Sequence, residues 1–224
     1  MSLLDGPEPT GRSDAPEAEV VAIILAAGRG QRFGGGTKQL AELAGRPLVA
    51  HAVEAAVEAR AARILVVVGH DGQAVADAAR EAAGDTPVEV VVNPDHAAGQ
   101  GTSVAAGARA VAAAPTLPDA VVVLLADQPG IRPETVRTVA AAVTTGASAA
   151  RASYADRPSH PVAFGPQVLD RLTTLTGDEG ARQLLDELDV VHVLVAGLAP
   201  HDVDTPDDLA ALRGQRVGPG GATQ

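Results

Sequence analysis

The chain has 224 residues, a formal net charge of −11 and no cysteine, which suits one domain with a real core and excludes disulfides, thiolate metal sites and a cysteine nucleophile. The acidic balance opposes non-specific binding to nucleic acid, which needs a basic face, and the only aromatic residues, Phe33, Tyr154 and Phe164, supply no stacking platform for single strands. No run approaches roughly 18 consecutive apolar residues, and the first residues lack the basic-then-apolar order of a signal peptide, so a cytoplasmic protein without a membrane span is expected.

Residues 1–18 mix proline, glycine and charge without periodicity and read as a disordered leader. The folded domain is expected over residues 19–213. Within it, apolar runs at Val20–Leu25, Ile64–Val68, Val88–Val92, Val121–Leu125 and Val190–Val195 are continuous rather than alternating, the pattern of strands buried on both faces. Between them, Pro47–Arg60, Gly72–Ala83, Ser103–Ala114 and Pro133–Thr144 are rich in alanine, with apolar residues at helical spacing. Pro47 and Pro133 suit a first helical turn. Past residue 147 the alternation loosens. Ala147–Ser153 and Pro161–Phe164 are candidate strands of a mixed or antiparallel part, and Pro166–Leu172 and Gly180–Leu188 candidate helices. Residues 214–224 read as a disordered tail. The whole predicts an α/β fold in three layers, Rossmann-like, with a mainly parallel sheet and helices on both faces. Ligands in such sheets bind beyond the carboxyl ends of the strands.

The segment after the first run, Leu25-Ala26-Ala27-Gly28-Arg29-Gly30-Gln31-Arg32-Phe33-Gly34-Gly35-Gly36-Thr37-Lys38, holds five glycines, Arg32 and the only lysine of the chain. Glycines let the backbone turn its N–H groups toward a ligand. Together with an arginine that can bridge two oxygens and a lysine acting as a point charge, they describe an oligophosphate cradle. A flexible surface loop with unrelated charges is the alternative. Gln39 after Lys38 excludes a P-loop, and the glycine spacing is not that of a dinucleotide fingerprint.

This stretch resembles the LAAGxSxRMGxxK signature of the MobA-like NTP transferase family, and within it most nearly the molybdenum cofactor cytidylyltransferase type. Gly30 stands where that signature has serine and Phe33 where it has methionine. The resemblance implies a nucleotidyltransferase fold and nucleotide contacts from Leu25, Ala26, Ala27, Gly28, Arg32 and Lys38, with Arg32 and Lys38 also catalytic. An alanine at position 27 goes with CTP in that family.

Asp127, in Leu124-Leu125-Ala126-Asp127-Gln128-Pro129, stands just beyond an apolar run. An acid there facing a triphosphate suits Mg2+, which prefers one or two carboxylates plus phosphates and water; a turn or helix-capping role before Pro133 is the alternative. The family has a similar Asp-Met-Pro, which makes Asp127 a metal ligand and catalytic residue. In His201-Asp202-Val203-Asp204-Thr205-Pro206-Asp207-Asp208, Thr205 or Asp204 can cap a helix starting at Pro206. The family's DxDTPxD motif puts Asp204 at the metal as well, so it is expected to do both jobs, with Asp202 supporting from behind. Asp127 and Asp204 together are expected to hold Mg2+ opposite the Arg32 and Lys38 cradle.

Three further pieces complete the expectation. Asn93, in Asn93-Pro94 through Ser103, begins a loop before a helix that Thr102 or Ser103 would cap, its N–H groups aimed at an anion or a base edge. The family's NPxxxxGxxxS loop implies nucleotide contacts from Asn93 and Ser103, with turn chemistry the alternative. Gly69-His70 ends the second strand, where another nucleotide loop is expected through Gly69, and His70 reads as a solvated loop residue. Ser159-His160-Pro161 and Gly177-Asp178-Glu179-Gly180-Ala181-Arg182 are similar to cytidylyltransferase elements that line the acceptor half of the cleft, with His160 and Asp178 as acceptor contacts or, alternatively, as fixers of local turns.

The resemblance implies Mg2+-dependent transfer of a nucleotide from CTP to a phosphorylated small molecule, most specifically molybdopterin, with a molybdoenzyme as the implied recipient of the product. Other acceptors (a sugar phosphate, methylerythritol phosphate or phospholactate) belong to sister families with similar loops. Two further classes remain: a non-catalytic nucleotide-binding cofactor chaperone, and an oxidoreductase, for which no flavin or nicotinamide fingerprint is present.

Overall fold

The computed structural model describes residues 18–28, 30–33, 37–69, 72–178 and 180–216. Val20–Leu25 forms β1, whose side chains alternate between the two faces of the sheet: Ala22 and Ile24 join one apolar cluster, Val21, Ile23 and Leu25 the other. A two-stranded ribbon, β2 (Glu42–Leu43) and β3 (Arg46–Pro47), leads into α1 (Leu48–Glu58). Next come β4 (Arg63–Val68), α2 (Gln73–Ala83), β5 (Val88–Val92), α3 (Gln100–Ala112), β6 (Ala120–Leu125) and α4 (Pro133–Thr144). The chain then forms β7 (Ala149–Ser153), β8 (Pro158–Phe164), a short α5 (Leu169–Leu172), α6 (Gly180–Glu187), β9 (Val190–Leu194) and α7 (Pro206–Arg216). No helix among the described residues is long and apolar enough to cross a membrane.

Seven strands make one sheet in the order β5-β4-β1-β6-β8-β7-β9. Every pairing is parallel except the two made by β8, which runs against β6 and β7. Helices α1, α2 and α4 pack on one face, and α3, α5 and α6 on the other. This is the three-layer α/β arrangement expected. Because β8 alone is reversed, its first residues, Pro158 to His160, lie at the same edge as the carboxyl ends of the parallel strands.

Several expectations are corrected. Val88–Val92 and Val190–Val195 read as strands buried on both faces, yet they are the two edge strands and are only partly covered. A valine run carries no information about whether a neighbour covers it. Pro133 opens α4 as expected, but Pro47 closes β3 and stands just before α1. α3 starts at Gln100, ahead of Thr102 and Ser103. α7 continues to Arg216, beyond the boundary drawn at 213. Residues 1–17 of the expected leader and 217–224 of the tail lie outside the described residues.

Helix α3 sits close on the sheet because Gly107 has no side chain: a Cβ there would come within 2.7 Å of Ile23 Cγ2. Ile23 is wholly buried in the centre of the sheet and cannot yield without moving its neighbours. Gly107→Val should therefore cost about 2–3 kcal/mol, read as a lower urea midpoint; an unchanged midpoint would show that α3 can lift without loss.

Candidate active site

The carboxyl edge of the sheet gathers the charged residues. Lys38 begins a single 3-10 turn, Lys38–Leu40, after the glycine loop. Its side chain is 7 % exposed, and its ammonium donates to Asp127 Oδ2 at 2.6 Å and to Asp204 Oδ1 at 2.9 Å. Burial opposes this charge, but attraction and hydrogen bonding from Asp127, then from Asp204, outweigh it and hold Lys38 above the ordinary lysine value. Asp127 stands two residues past the end of β6. Asp204 precedes α7, and the two acidic segments are stitched together by the Val203 N–H, which donates to the Asp127 carbonyl at 2.9 Å. Val203 is wholly buried beside Leu43, Leu48 and Leu209, an apolar knot that fixes the approach of α7.

Acids and cations were expected on opposite sides of the cleft. The structure joins them instead, with the Lys38 ammonium between the two carboxylates. Arg32 stands at the rim, its side chain 78 % exposed and its Nη1 4.0 Å from Asp204 Oδ2. At that distance and exposure the pair is weak and screened, so the guanidinium can turn to an incoming anion at little cost. Asp204 was also expected to cap α7. That role falls to Thr205, whose Oγ1 accepts from the Asp208 N–H while the Asp208 carboxylate accepts from the Thr205 N–H and from the Asp204 N–H. This is a capping box. It holds the Asp208 carboxyl below the usual carboxylate range through the Thr205 hydroxyl first and the Thr205 backbone second, and it leaves the Asp204 carboxylate facing the cleft. Asp202 supports the site from behind by accepting from Gln128 Nε2 at 2.7 Å.

The cleft beside this cluster encloses about 510 Å³. Of the expected residues, Leu25, Ala27, Gly28, Arg32, Lys38, Ser103, Asp127, Asp178 and Asp204 line it together. Ala26 does not; it is buried in the core on one face of the sheet. Gly69 lies beneath the imidazole of His96, which would stand 3.2 Å from a Cβ there. Asn93 is buried below the floor. Its Nδ2 donates to Thr102 Oγ1 and Ser103 Oγ, and its Oδ1 accepts from the Asp95 N–H. The turn-forming alternative thus describes what Asn93 does in this structure: it fixes Ser103, and Ser103 reaches the cleft. The N-terminus of α3 is not left open for an anion, because its first N–H groups meet Asp178 Oδ1, the Gly177 carbonyl and the Gly99 carbonyl. Asp178 thus caps a remote helix while also lining the cleft. His70, Arg29 and Gly34–Gly36 lie outside the described residues.

Gln39 and His96 are among the cleft residues that escaped sequence reasoning. Gln39 is buried and donates from Nε2 to the Gly28 carbonyl at 2.8 Å, bracing the glycine loop. His96 faces the cleft with Nδ1 3.1 Å from the Asn93 carbonyl. Its position just past the carboxyl end of β5 was the available signal.

His160 faces a second, smaller cavity of about 110 Å³ that shares Leu25, Gln100 and Asp178 with the first. Burial first, and the Arg151 guanidinium second, push its imidazole down to about 4, with Asp127 pulling the other way.

The residues present fit a divalent cation that brings its own ligands. Two carboxylates converge on one cationic point, and a hard ion completes such a pair with phosphate and water oxygens. Among the described residues no group of three or more His, Cys, Asp and Glu side chains is placed to hold a metal by protein alone. By formal charge the two acids and Lys38 leave one negative charge, which the exposed Arg32 offsets only weakly.

Charged residues of this kind beyond the ends of a parallel sheet define a nucleotide-handling α/β protein. The MobA-like NTP transferase domain matches residues 22–193, and the chain belongs to that family. Nicotine blue oxidoreductase of Paenarthrobacter nicotinovorans is 35% identical over 173 residues, covering 74% of this chain and 81% of its own. A 3-deoxy-manno-octulosonate cytidylyltransferase of Anaeromyxobacter dehalogenans is 38% identical over 164 residues, 70% of this chain and 60% of its own, so the chain spans less than two thirds of that relative. Among solved structures, Rv0371c of Mycobacterium tuberculosis has a TM-score of 0.74 and 28% identity, covering 88% of this chain and 98% of that one. A second structure of Rv0371c, in complex with manganese, has a TM-score of 0.70 and 27% identity over the same shares.

The low value of His160 has a sign. Between pH 6.5 and 4 the unfolded chain takes up a proton here that the folded protein refuses. Stability from this group is therefore complete above pH 6.5 and is lost as pH falls toward 4, by at most about 3 kcal/mol. Urea unfolding across this range should show a steeper decline for the wild type than for His160→Gln; parallel curves would mean that His160 titrates as it does in the unfolded chain.

Proposed function

We propose that the protein transfers a nucleoside monophosphate, from CTP by preference, to a phosphorylated small-molecule acceptor, releasing pyrophosphate. The observation that carries this reading is the convergence of Lys38 on Asp127 and Asp204 beside the glycine loop. A lysine held ionised and preset by two acids can turn to a phosphate oxygen when one arrives. The family supplies the reaction class, and the similar cytidylyltransferase supports the choice of CTP. Molybdopterin is the most specific acceptor, on the motif around His160 and Asp178, and a molybdoenzyme the implied recipient. The manganese complex of Rv0371c is consistent with a divalent requirement.

In this reaction an oxygen of the acceptor phosphate attacks the α-phosphorus. The new O–P bond forms as the bond to the bridging oxygen breaks, and pyrophosphate leaves with that electron pair. A phosphate acceptor is already ionised, so the chain need not supply a strong base. Lys38 and Arg32 neutralise charge on the α-phosphate and the leaving group, and they act by position and electrostatics. Gln39 keeps the Gly28 backbone in place around the phosphates. Ser103, fixed by Asn93, presents a hydroxyl to the cleft. Asp127 and Asp204 would hold Mg2+, which when bound supplies positive charge to the phosphate oxygens.

A second reading is favoured by one observation, the 35% identity with an oxidoreductase. It requires nicotinamide or flavin turnover, which a separate absorbance assay with added NADH, NADPH or flavin detects.

The test is pyrophosphate release with each of four nucleoside triphosphates, crossed with molybdopterin and other phosphorylated acceptors, with and without Mg2+. Release is expected with CTP, Mg2+ and one acceptor. Lys38→Ala and Asp127→Ala should each lower it by at least about a thousandfold. Both variants should remain folded, with a modest drop in melting temperature where a part-buried charge loses its partner. Near-normal release by either variant would contradict the reading.

A further inference from the structure

The second cavity holds an arrangement that the fold alone does not explain. Arg151 stands mid-strand in β7 beside Ala150 and Ala152, both wholly buried. Its Nε is buried without a hydrogen-bond partner, and its Nη2 reaches only the Pro158 carbonyl, at 3.3 Å. Arg182, from α6, lines the same cavity. Among the described residues neither guanidinium has a carboxylate within ion-pairing distance. Burial and then the Arg182 charge lower the Arg151 pKa, with Asp186 countering only in part. Two like charges therefore share a small cavity with a neutral imidazole. Arg182 is exposed and Arg151 half-buried, so the cost falls on the Arg151 Nε, a buried donor that stays unsatisfied until a ligand supplies an acceptor.

We propose that Arg151 and Arg182 form an oxyanion subsite that takes the phosphomonoester head of the acceptor. Paired guanidiniums match the oxygens of a phosphate. The buried Nε of Arg151 gains the acceptor atom it lacks. The cavity is well below the size of a whole-ligand pocket, so it takes a head group and leaves the body of the molecule in the larger cleft. Its other walls, Val104, Val123 and Phe164, are apolar and meet the first carbon atoms joined to the phosphate, which favours an organic phosphate over a bare ion. The subsite opens onto the first cleft at Leu25, Gln100 and Asp178. The identification of its ligand as the acceptor rests on the transferase reading; the binding of a phosphomonoester does not.

Calorimetry on the full chain tests it with three probes: phenyl phosphate, inorganic phosphate and phenol. Phenyl phosphate should bind more tightly than either of the others. Arg151→Met and Arg182→Met should each weaken it by about tenfold or more, while changing CTP–Mg2+ affinity by less than about twofold. Arg151→Met should also melt no lower than the wild type, because it removes a buried donor that has no acceptor. Unchanged phenyl phosphate affinity in Arg151→Met, with a lower melting temperature, would overturn the proposal and make Arg151 structural. So would binding of inorganic phosphate and phenyl phosphate alike that is lost in Lys38→Met and kept in Arg151→Met, which would place the probe in the triphosphate cleft. A wild-type protein that binds phenyl phosphate through Arg151 but fails to bind CTP–Mg2+ would uphold the subsite and defeat the transferase reading.

Discussion

The ammonium of Lys38 is gripped by Asp127 and Asp204, and the rest of the site follows from that contact. Three residues distant in sequence meet at one point. An ion pair this close is short and charge-assisted, and a part-buried one loses little to screening. It also leaves the cluster one negative charge in excess. In the proposed reaction, a cation that joined the two acids would free the lysine to meet a triphosphate. Arg32, exposed at the rim, adds charge without being committed elsewhere.

The fold delivers these residues by ordinary means. Parallel strands β1, β4, β5 and β6 end along one edge, and the loops after them carry the glycine loop, Gly69, Asn93 and Asp127. The reversed β8 begins at that edge and contributes His160. Asp204 arrives by a different route, pinned by the buried Val203 and by the capping box of Thr205 and Asp208. Thr205 relieves Asp204 of helix capping, so that carboxylate is available to the cleft. Polar residues that line no cleft still act on it: Asn93 sets Ser103, and Asp202 holds Gln128 beside Ser159.

Much of this was legible in the chain because the signals are local. β1 at Val20–Leu25 and α4 at Pro133–Thr144 were readable to the residue, since a continuous apolar run and a proline-led alanine-rich segment each specify their own structure. The cationic glycine loop and Asp127 were readable from position after apolar runs, and Asp204 from its resemblance to a family motif. What was not legible depends on partners far along the chain. The start of α3 is set by Asp178 and Gly177, so the local serine and threonine misled. The exposure of β5 and β9 depends on sheet order, which their valines do not encode. Arg151 in an alanine-rich strand carries no local signal of a site; only the register sets it across from Val162 and beside a cavity. The approach of Lys38 to both acids needed three loops in space at once.

In the proposed function Lys38, Asp127 and Asp204 form one receiving point for a metal-bearing triphosphate. A crystal structure of the protein with Mg2+ and a non-hydrolysable CTP analogue tests it most directly. The Lys38 ammonium is expected within hydrogen-bonding distance of a phosphate oxygen, and the ion on the carboxylates of Asp127 and Asp204. A triphosphate bound elsewhere, with Lys38 still bridging both acids, would contradict it.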